Sequence, residues 1–356
     1  MADFPDAEAY TVGVICALTV EKVAACCFLD KGHPRLKSQS ASDNNDYTLG
    51  QIGDHNVVIA GLPLGRYGTT NAAIVARDMA RTFPNIRFGL MVGIGGGAPS
   101  EGHDIRLGDI VVGISKNGKN ELWQYDFGKT IQNRTFQRIE TRNNTPLLLQ
   151  NAVGGLEADY KLTGHQLQMS IHDALNAHKR IKRQYKKPDA KSDVLYKSDY
   201  LHPNESGGDC SVLCGNKSEH VVRRPALSNN NEDDSETDEI SRDDPTIHYG
   251  LIASANQLMK NAEIRDSLAK EAGVLCFEME AAGLQDHFPC LVIRGICDYS
   301  DTHKNDQWHG YAAISAAAYA KDILNRIPPS KIEAERKIRD VLDSGEFCSQ
   351  KRTSRS

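Results

Sequence analysis

Nowhere does the 356-residue chain offer about 18 uninterrupted apolar residues, which argues against a helical membrane span. Its first residues, MADFPDAEAYTVG, carry no basic stretch and no long apolar run, so no secretory signal peptide is expected. Positive charge is not in excess: 42 Lys and Arg stand against 47 Asp and Glu, a formal net charge of -5, so general nucleic-acid affinity is not implied. Cysteine forms no dense framework. The nine are scattered, and Cys16, Cys26, Cys27, Cys276, Cys290 and Cys297 fall in apolar stretches, as expected of a small hydrophobe in a reducing compartment. Two phosphate-binding motifs are also missing. Gly93-Ile94-Gly95-Gly96-Gly97 runs into Ala98-Pro99, where a dinucleotide-binding helix should begin, and no Gly-Lys-Ser/Thr follows to make a P-loop. There is no internal repeat. These absences predict a soluble, cytoplasmic protein that engages neither membrane nor nucleic acid. With 40% hydrophobic residues, the chain can build one large α/β domain or two small ones.

The residues that are present divide the chain into three parts. The first reads as regular α/β: strands at 10–17, 88–94 and 109–114, a hairpin at 47–62 turning on Gly53-Asp54, and helices at 21–29 and 69–83. From about 132 to 245 the texture turns polar. Residues 179–187, KRIKRQYKK, carry six bases, and 232–244, EDDSETDEISRDD, carry eight acids. An irregular insertion with a disordered acidic loop near 227–244 is predicted there. From 247 the α/β texture returns, with a strand at 249–253, a helix at 256–270 and a closing helix at 308–327. A catalytic domain over 8–328 is expected, followed by a C-terminal helix and loose tail over 329–356. The two α/β blocks should share one sheet, because neither covers its own faces.

Carboxylates mark the candidate site. Two apolar strands, 274–277 and 290–297, end in Glu278, Glu280 and Asp298, with a short helix-like segment at 281–287 between them. Strands joined by a helix should lie parallel, which would bring Glu280 and Asp298 to one rim, where open α/β sheets bind ligands. Ion pairing or turn capping explains the same residues without function. Glu21 opens the first helix after the first strand, and on position alone it is read as a helix-dipole partner. The triple glycine admits a ligand close to the backbone, or makes only a tight turn. Cys210 and Cys214, with His202 and His220 nearby, could hold zinc. However, CxxxC in a loop is a weak signal, and ordinary loop thiols are the preferred reading, so no metal or cofactor is predicted.

Taken in order, VGVICAL with Glu21, VGIGGG, LGDIVV, GLIAS, FEMEAAG and VIRGICDYSD resemble the nucleoside phosphorylase/nucleosidase superfamily over roughly residues 10–130 and 246–327. NNDYTLG, YGTT, QYDFGK and DIRLGD resemble its fungal-type domains. The resemblance implies an α/β fold, a three-layer α/β/α sandwich around a mixed, partly barrel-like central sheet. It implies cleavage of an N-glycosidic bond by water or by phosphate. It assigns Glu21 to the attacking water, Glu280 with Met279 to the ribose hydroxyls, and Asp298 to protonation of the purine at N7. Phe277, Gly95 and Gly96 join the substrate pocket, and Glu278 is left as a structural acid. On this reading burial should raise the pKa of Asp298, whereas Glu280 should stay ionised. Phosphorylases of the family place an arginine just ahead of the glycine loop. Residues 88–93 carry no base here, which favours hydrolysis. The serine or threonine common inside the loop is Ile94 here.

Arg66, His103, Arg106, Lys129 and Lys304 are the bases near the inferred rim, and together they could hold 5′ phosphates. Related immune effectors strip adenine from ATP. The resemblance therefore implies an ATP (and dATP) nucleosidase of immune or antagonistic role, working as a homo-oligomer. The alternatives are a purine nucleoside or methylthioadenosine nucleosidase or phosphorylase, and a catalytically idle nucleotide-sensing module.

Overall fold

One sheet joins the two α/β blocks in the computed structural model, which describes residues 5–115, 120–133, 136–139, 145–203, 210–215, 217–225, 245–285, 288–304 and 306–344. The acidic loop predicted near 227–244 lies outside these residues, as does the tail beyond 344. The strands are β1 (Val12–Cys16), β2 (Lys31–His33), β3 (Tyr47–Ile52), β4 (His55–Gly61), β5 (Phe88–Gly97), β6 (Ile110–Gly113), β7 (Leu122–Gln124), β10 (Ile247–Ser254), β11 (Val274–Glu278) and β12 (Cys290–Asp298), with β8 (Gly128–Lys129) and β9 (Gln137–Arg138) forming a separate ribbon. Their order is β11-β10-β6-β12-β5-β1-β4-β3-β2, and β7 pairs with β10. β11 also returns to pair with β5, so β5, β12, β6, β10 and β11 close into a small mixed barrel. This is the expected partly barrel-like sheet.

Side chains alternate between two apolar layers, as the period of a strand dictates. Val12, Val14, Cys16, Leu90 and Val92 join one core, whereas Ile15 and Met91 join the other. Helices α1 (Thr19–Cys26) and His309–Arg326 cover the first layer, and α2 (Thr69–Thr82) covers the second. The alanines of His309–Arg326 let the helix lie directly on β12. A Cβ at Gly295 would sit 1.8 Å from the Ala312 carbonyl oxygen, so only glycine fits there.

The structure differs from the sequence reading in three places. Residues 145–177 are more regular than their texture predicts. Helices Leu147–Thr163 and Leu167–Ala177 bury Leu149, Val153, Leu156, Leu167 and Ile171 in the first layer. The glycines do not form a turn, because β5 runs on through Gly97 and pairs Gly96 and Gly97 with Phe277 and Cys276. Finally, β11 and β12 are not parallel: β12 is parallel to β5 and β11 antiparallel to it. Among its described residues, the connection between them holds only the 3-10 turn Ala281–Gly283, with no helix of the kind that usually crosses between parallel strands.

Candidate active site

Strand β5 changes partner along one edge. β1 pairs with Phe88–Met91 and β11 with Gly96–Gly97, while β12 runs along the other edge. The interval Val92–Gly95 lies between the two partners. Glu21 fills it. At the third position of α1, its carboxylate reaches back to the start of the helix and accepts from the amides of Ala17 (2.6 Å) and Leu18 (2.8 Å). The other oxygen accepts from the Ile94 amide at 2.8 Å. Gly93 makes this approach possible, since a Cβ there would lie 2.5 Å from the Glu21 carboxylate and 2.2 Å from Arg294.

Arg294 is the centre of a buried charge cluster. Fully buried on β12, it pairs with Glu278 and lies 3.8 Å from Glu280. Glu278 also accepts from the amides of Glu280 (3.1 Å) and Ala281 (3.0 Å), which fixes the turn after β11. Glu280 accepts from Gly68 and Met279, each at 3.3 Å. Burial pushes the Glu21 carboxyl up, against the pull of Arg294 and the three amides. Burial, and then the Glu278 charge, pushes Glu280 up to about 7, so it is not held as firmly ionised as the sequence reading expected. The sequence reading passed over Arg294. The available signal was a single charge inside the apolar run of β12, which demands buried partners.

Asp298 ends β12 opposite Gly96, where a Cβ would fall 2.6 Å from its carboxylate. Here the expectation of a raised pKa is corrected. Burial pushes the Asp298 carboxyl up, but the Lys304 ammonium at 2.9 Å, the Ser300 amide at 2.8 Å and the Cys297 thiol outweigh it and hold the group below its ordinary value. Burial depresses Lys304, but Asp298 more than compensates and raises it. Asp298 therefore stands as the anion of a buried ion pair. With Cys297, Tyr299 and His303 it lines a cavity of about 210 Å³, whose lining includes neither Glu21 nor Glu280.

The remaining predicted residues separate by location. Met279 is half-buried beside Glu280. Gly95 lies against the Phe277 carbonyl, and the Phe277 ring packs edge-on to Tyr125 in a small apolar cluster. Arg66 is exposed on the loop that ends at Gly68, next to Glu280. Lys129 is exposed on the β8–β9 ribbon. Asp126, just ahead of that ribbon, accepts from the Asn256 amide, and Asn256 in turn holds Thr69. Asn256 thus links the segment ahead of the ribbon to Thr69, which follows the Arg66 loop. Arg106 is instead bound to Asp104 and the Pro225 carbonyl, and His103 lies edge-on to His248. Lys304 sits on Asp298 rather than beside Arg66 and Lys129.

No family model matches the chain. It is 42% identical over 339 residues to a nucleotide-binding leucine-rich repeat (NLR)-like protein of Hyaloscypha variabilis, a match covering 95% of this chain and 31% of that one. The chain thus spans about a third of that relative's length. Over 84 residues it is 31% identical to the ATP nucleosidase Cap17 of Escherichia coli, covering 22% of this chain and 17% of that one. Among solved structures, the 5′-methylthioadenosine/S-adenosylhomocysteine nucleosidase of Neisseria meningitidis, in complex with methylthio-immucillin-A, superposes with a TM-score of 0.52 at 16% identity, covering 88% of this chain and 98% of that one. The corresponding nucleosidase of S. pneumoniae also gives 0.52 at 16% identity, over 89% and 100% of the two chains. These likenesses agree with the closed mixed sheet and its two helical layers: the chain has the nucleoside phosphorylase/nucleosidase fold.

Proposed function

We propose that this protein hydrolyses the N-glycosidic bond of a purine nucleotide, with ATP and dATP as the preferred substrates, releasing adenine and the (deoxy)ribose 5-triphosphate. The observation that carries this reading is the buried carboxylate of Glu21, fixed by three amides beside the gap in the sheet. A carboxylate offers about four acceptor sites, so one remains for a water molecule. Its raised pKa suits a general base. Glu280 accepts from the ribose hydroxyls and, when ionised, stabilises the cationic sugar of the transition state. We assign the Lys304–Asp298 pair to the leaving purine, on which negative charge develops. It holds a proton to share with N7, the role the sequence reading gave to Asp298 alone. Water is favoured over phosphate because Arg294 is already enclosed by Glu21, Glu278 and Glu280, and a phosphate beside it would meet three carboxylates.

Arg66 and Lys129 are the cations we assign to the triphosphate, since the Arg66 loop touches Glu280 and Asn256 links that loop's end to the segment before Lys129. Their charge-assisted contacts favour a nucleotide over a nucleoside. The Cap17 match and the NLR-like relative support an ATP-directed effector role. The cavity beside Asp298 is smaller than the ~300–1,000 Å³ of ordinary ligand pockets, so a nucleotide would not fit within it as it stands. A second reading rests on Leu64 and Tyr67, exposed on the same loop as Arg66, which could instead cover an apolar 5′ group such as methylthio. Adenine release from ATP, adenosine and methylthioadenosine at matched concentrations separates the two. ATP turned over fastest supports the first reading. Release from methylthioadenosine but not from ATP overturns it.

A further inference from the structure

Away from the carboxylates, the fold gathers a second set of reactive side chains. The imidazole of His202 and the thiols of Cys210 and Cys214 bring one donor atom each to within 4.8 Å of one another, and all three residues are at least partly buried. Sequence reading took the thiols as an ordinary loop pair. The structure adds a third donor to that pair, because His202 is brought beside it. Its amide donates to Thr302 at 2.8 Å, and the Cys210 thiol donates to the His303 carbonyl at 3.7 Å, so the cluster is seated on the loop that follows Asp298. His303 adds an independent sign that a ligand belongs here. It is 7% exposed, stacks on Tyr196 with ring centroids 4.0 Å apart, and lies 5.5 Å from the His202 ring. Neither of its ring nitrogens has a hydrogen-bond partner among the described residues, although Nδ1 lies 3.6 Å from the Asp301 carboxylate.

We propose that His202, Cys210 and Cys214 form a structural zinc site, with His303 turning in as the fourth ligand. Two thiolates and two imidazoles are the donor set of a closed tetrahedral zinc centre. Such a centre sets its donors about 3.5–3.8 Å apart, so the three atoms, already within 4.8 Å of one another, close by no more than about 1 Å on binding. Zn²⁺ takes the two cysteines as thiolates, and their two protons pass to solvent. The thiol hydrogen bond from Cys210 to His303 is then exchanged for a bond to the metal. Cys210 and His303 line the same cavity as Asp298. The metal would therefore staple His202, Cys210 and Cys214 to the loop carrying Asp298 and Lys304, and fix one wall of that cavity. The site stands on its own donor chemistry and does not depend on which substrate is cleaved.

The test is metal content. Purified protein, dialysed against buffer freed of metal by chelating resin, is expected to retain about one zinc per chain by plasma mass spectrometry. Cys210→Ser/Cys214→Ser is expected to retain essentially none, and Cys27→Ser the full amount. Should the double variant fail to fold, the intact protein is exchanged with Co²⁺. A thiolate-to-cobalt charge-transfer band in the near ultraviolet then supports the site. Zinc content below about a tenth per chain after incubation with zinc alone, equal zinc in the double variant, a cobalt spectrum without thiolate bands, or a Cys210–Cys214 disulfide in the native protein would each overturn it.

Discussion

Glu21 and Ile94 are joined across the gap where β5 changes partner, the carboxylate accepting from the amide at 2.8 Å. This contact occupies an amide in the interval of β5 between its pairings with β1 and β11, and it brings a buried acid to a sheet opening. Sheet openings of this kind are where α/β folds take their ligands.

Glu21→Gln tests the base. The amide side chain is nearly isosteric and keeps an acceptor for the backbone, so the fold should survive. Turnover should fall by ~10²–10⁴-fold, the usual size of a general-base effect. Steady-state kinetics beside a thermal melt will check this. Turnover within a factor of two of the parent contradicts the role.

Asp298→Asn should lower kcat by a comparable ~10²–10⁴-fold and free the Lys304 ammonium. Lys304→Met should lower kcat in the same direction, because Asp298 would no longer share a proton with a partner. Equal rates in parent and both variants would show that the leaving purine is protonated elsewhere.

Arg294→Met leaves Glu21, Glu278 and Glu280 buried without a counter-charge. A loss of ~3–5 kcal/mol in unfolding free energy is expected from urea titration, as for other broken buried pairs. An unchanged midpoint would mean that the cluster is not electrostatically coupled.

Stability should also depend on pH in two separate windows. Glu280 is raised to about 7 in the folded state, mainly by burial, from an ordinary value of 4.5. A carboxyl raised on folding contributes stability that is present below its unfolded pKa and lost as pH rises through the folded one. The urea midpoint should therefore drift down between about pH 4.5 and 7, and Glu280→Gln should flatten that drift. Asp298 is lowered despite its burial, chiefly by Lys304, so its contribution is lost only as pH falls below the ordinary aspartate range. A midpoint that rises steadily between pH 5 and 7 in the parent would contradict the first window.

Arg66→Ala and Lys129→Ala should each raise KM for ATP by ~10-fold or more, while leaving adenosine turnover unaffected, since a charge-assisted contact contributes ~1.5–3 kcal/mol. If both substrates suffer equally, the loop is structural and the phosphate assignment fails.

Much of this was legible in the sequence. The apolar runs of β1 and β5, the Gly53-Asp54 hairpin and the alanine-rich closing helix carry local signals that fold as read. Glu21 and Asp298 could be located because each ends or follows a strand. What failed was nonlocal. Whether β11 runs with or against β12 depends on barrel closure, which no residue between Met279 and Pro289 announces. The partner of Asp298 was also hidden: Lys304 was read as a phosphate ligand because exposure cannot be inferred from charge alone. The apolar stripe Leu149, Val153 and Leu156 was present but sat within a polar stretch that concealed its helical spacing.

Running the reaction with ATP in phosphate-free oxygen-18 water, and weighing both products by mass spectrometry, tests the central claim most directly. The account predicts free adenine without label and a ribose triphosphate carrying one heavy oxygen, both formed ~10²–10⁴-fold more slowly by Glu21→Gln. Release that requires added phosphate and leaves the sugar unlabelled, or no adenine from any purine nucleotide or nucleoside, would contradict it.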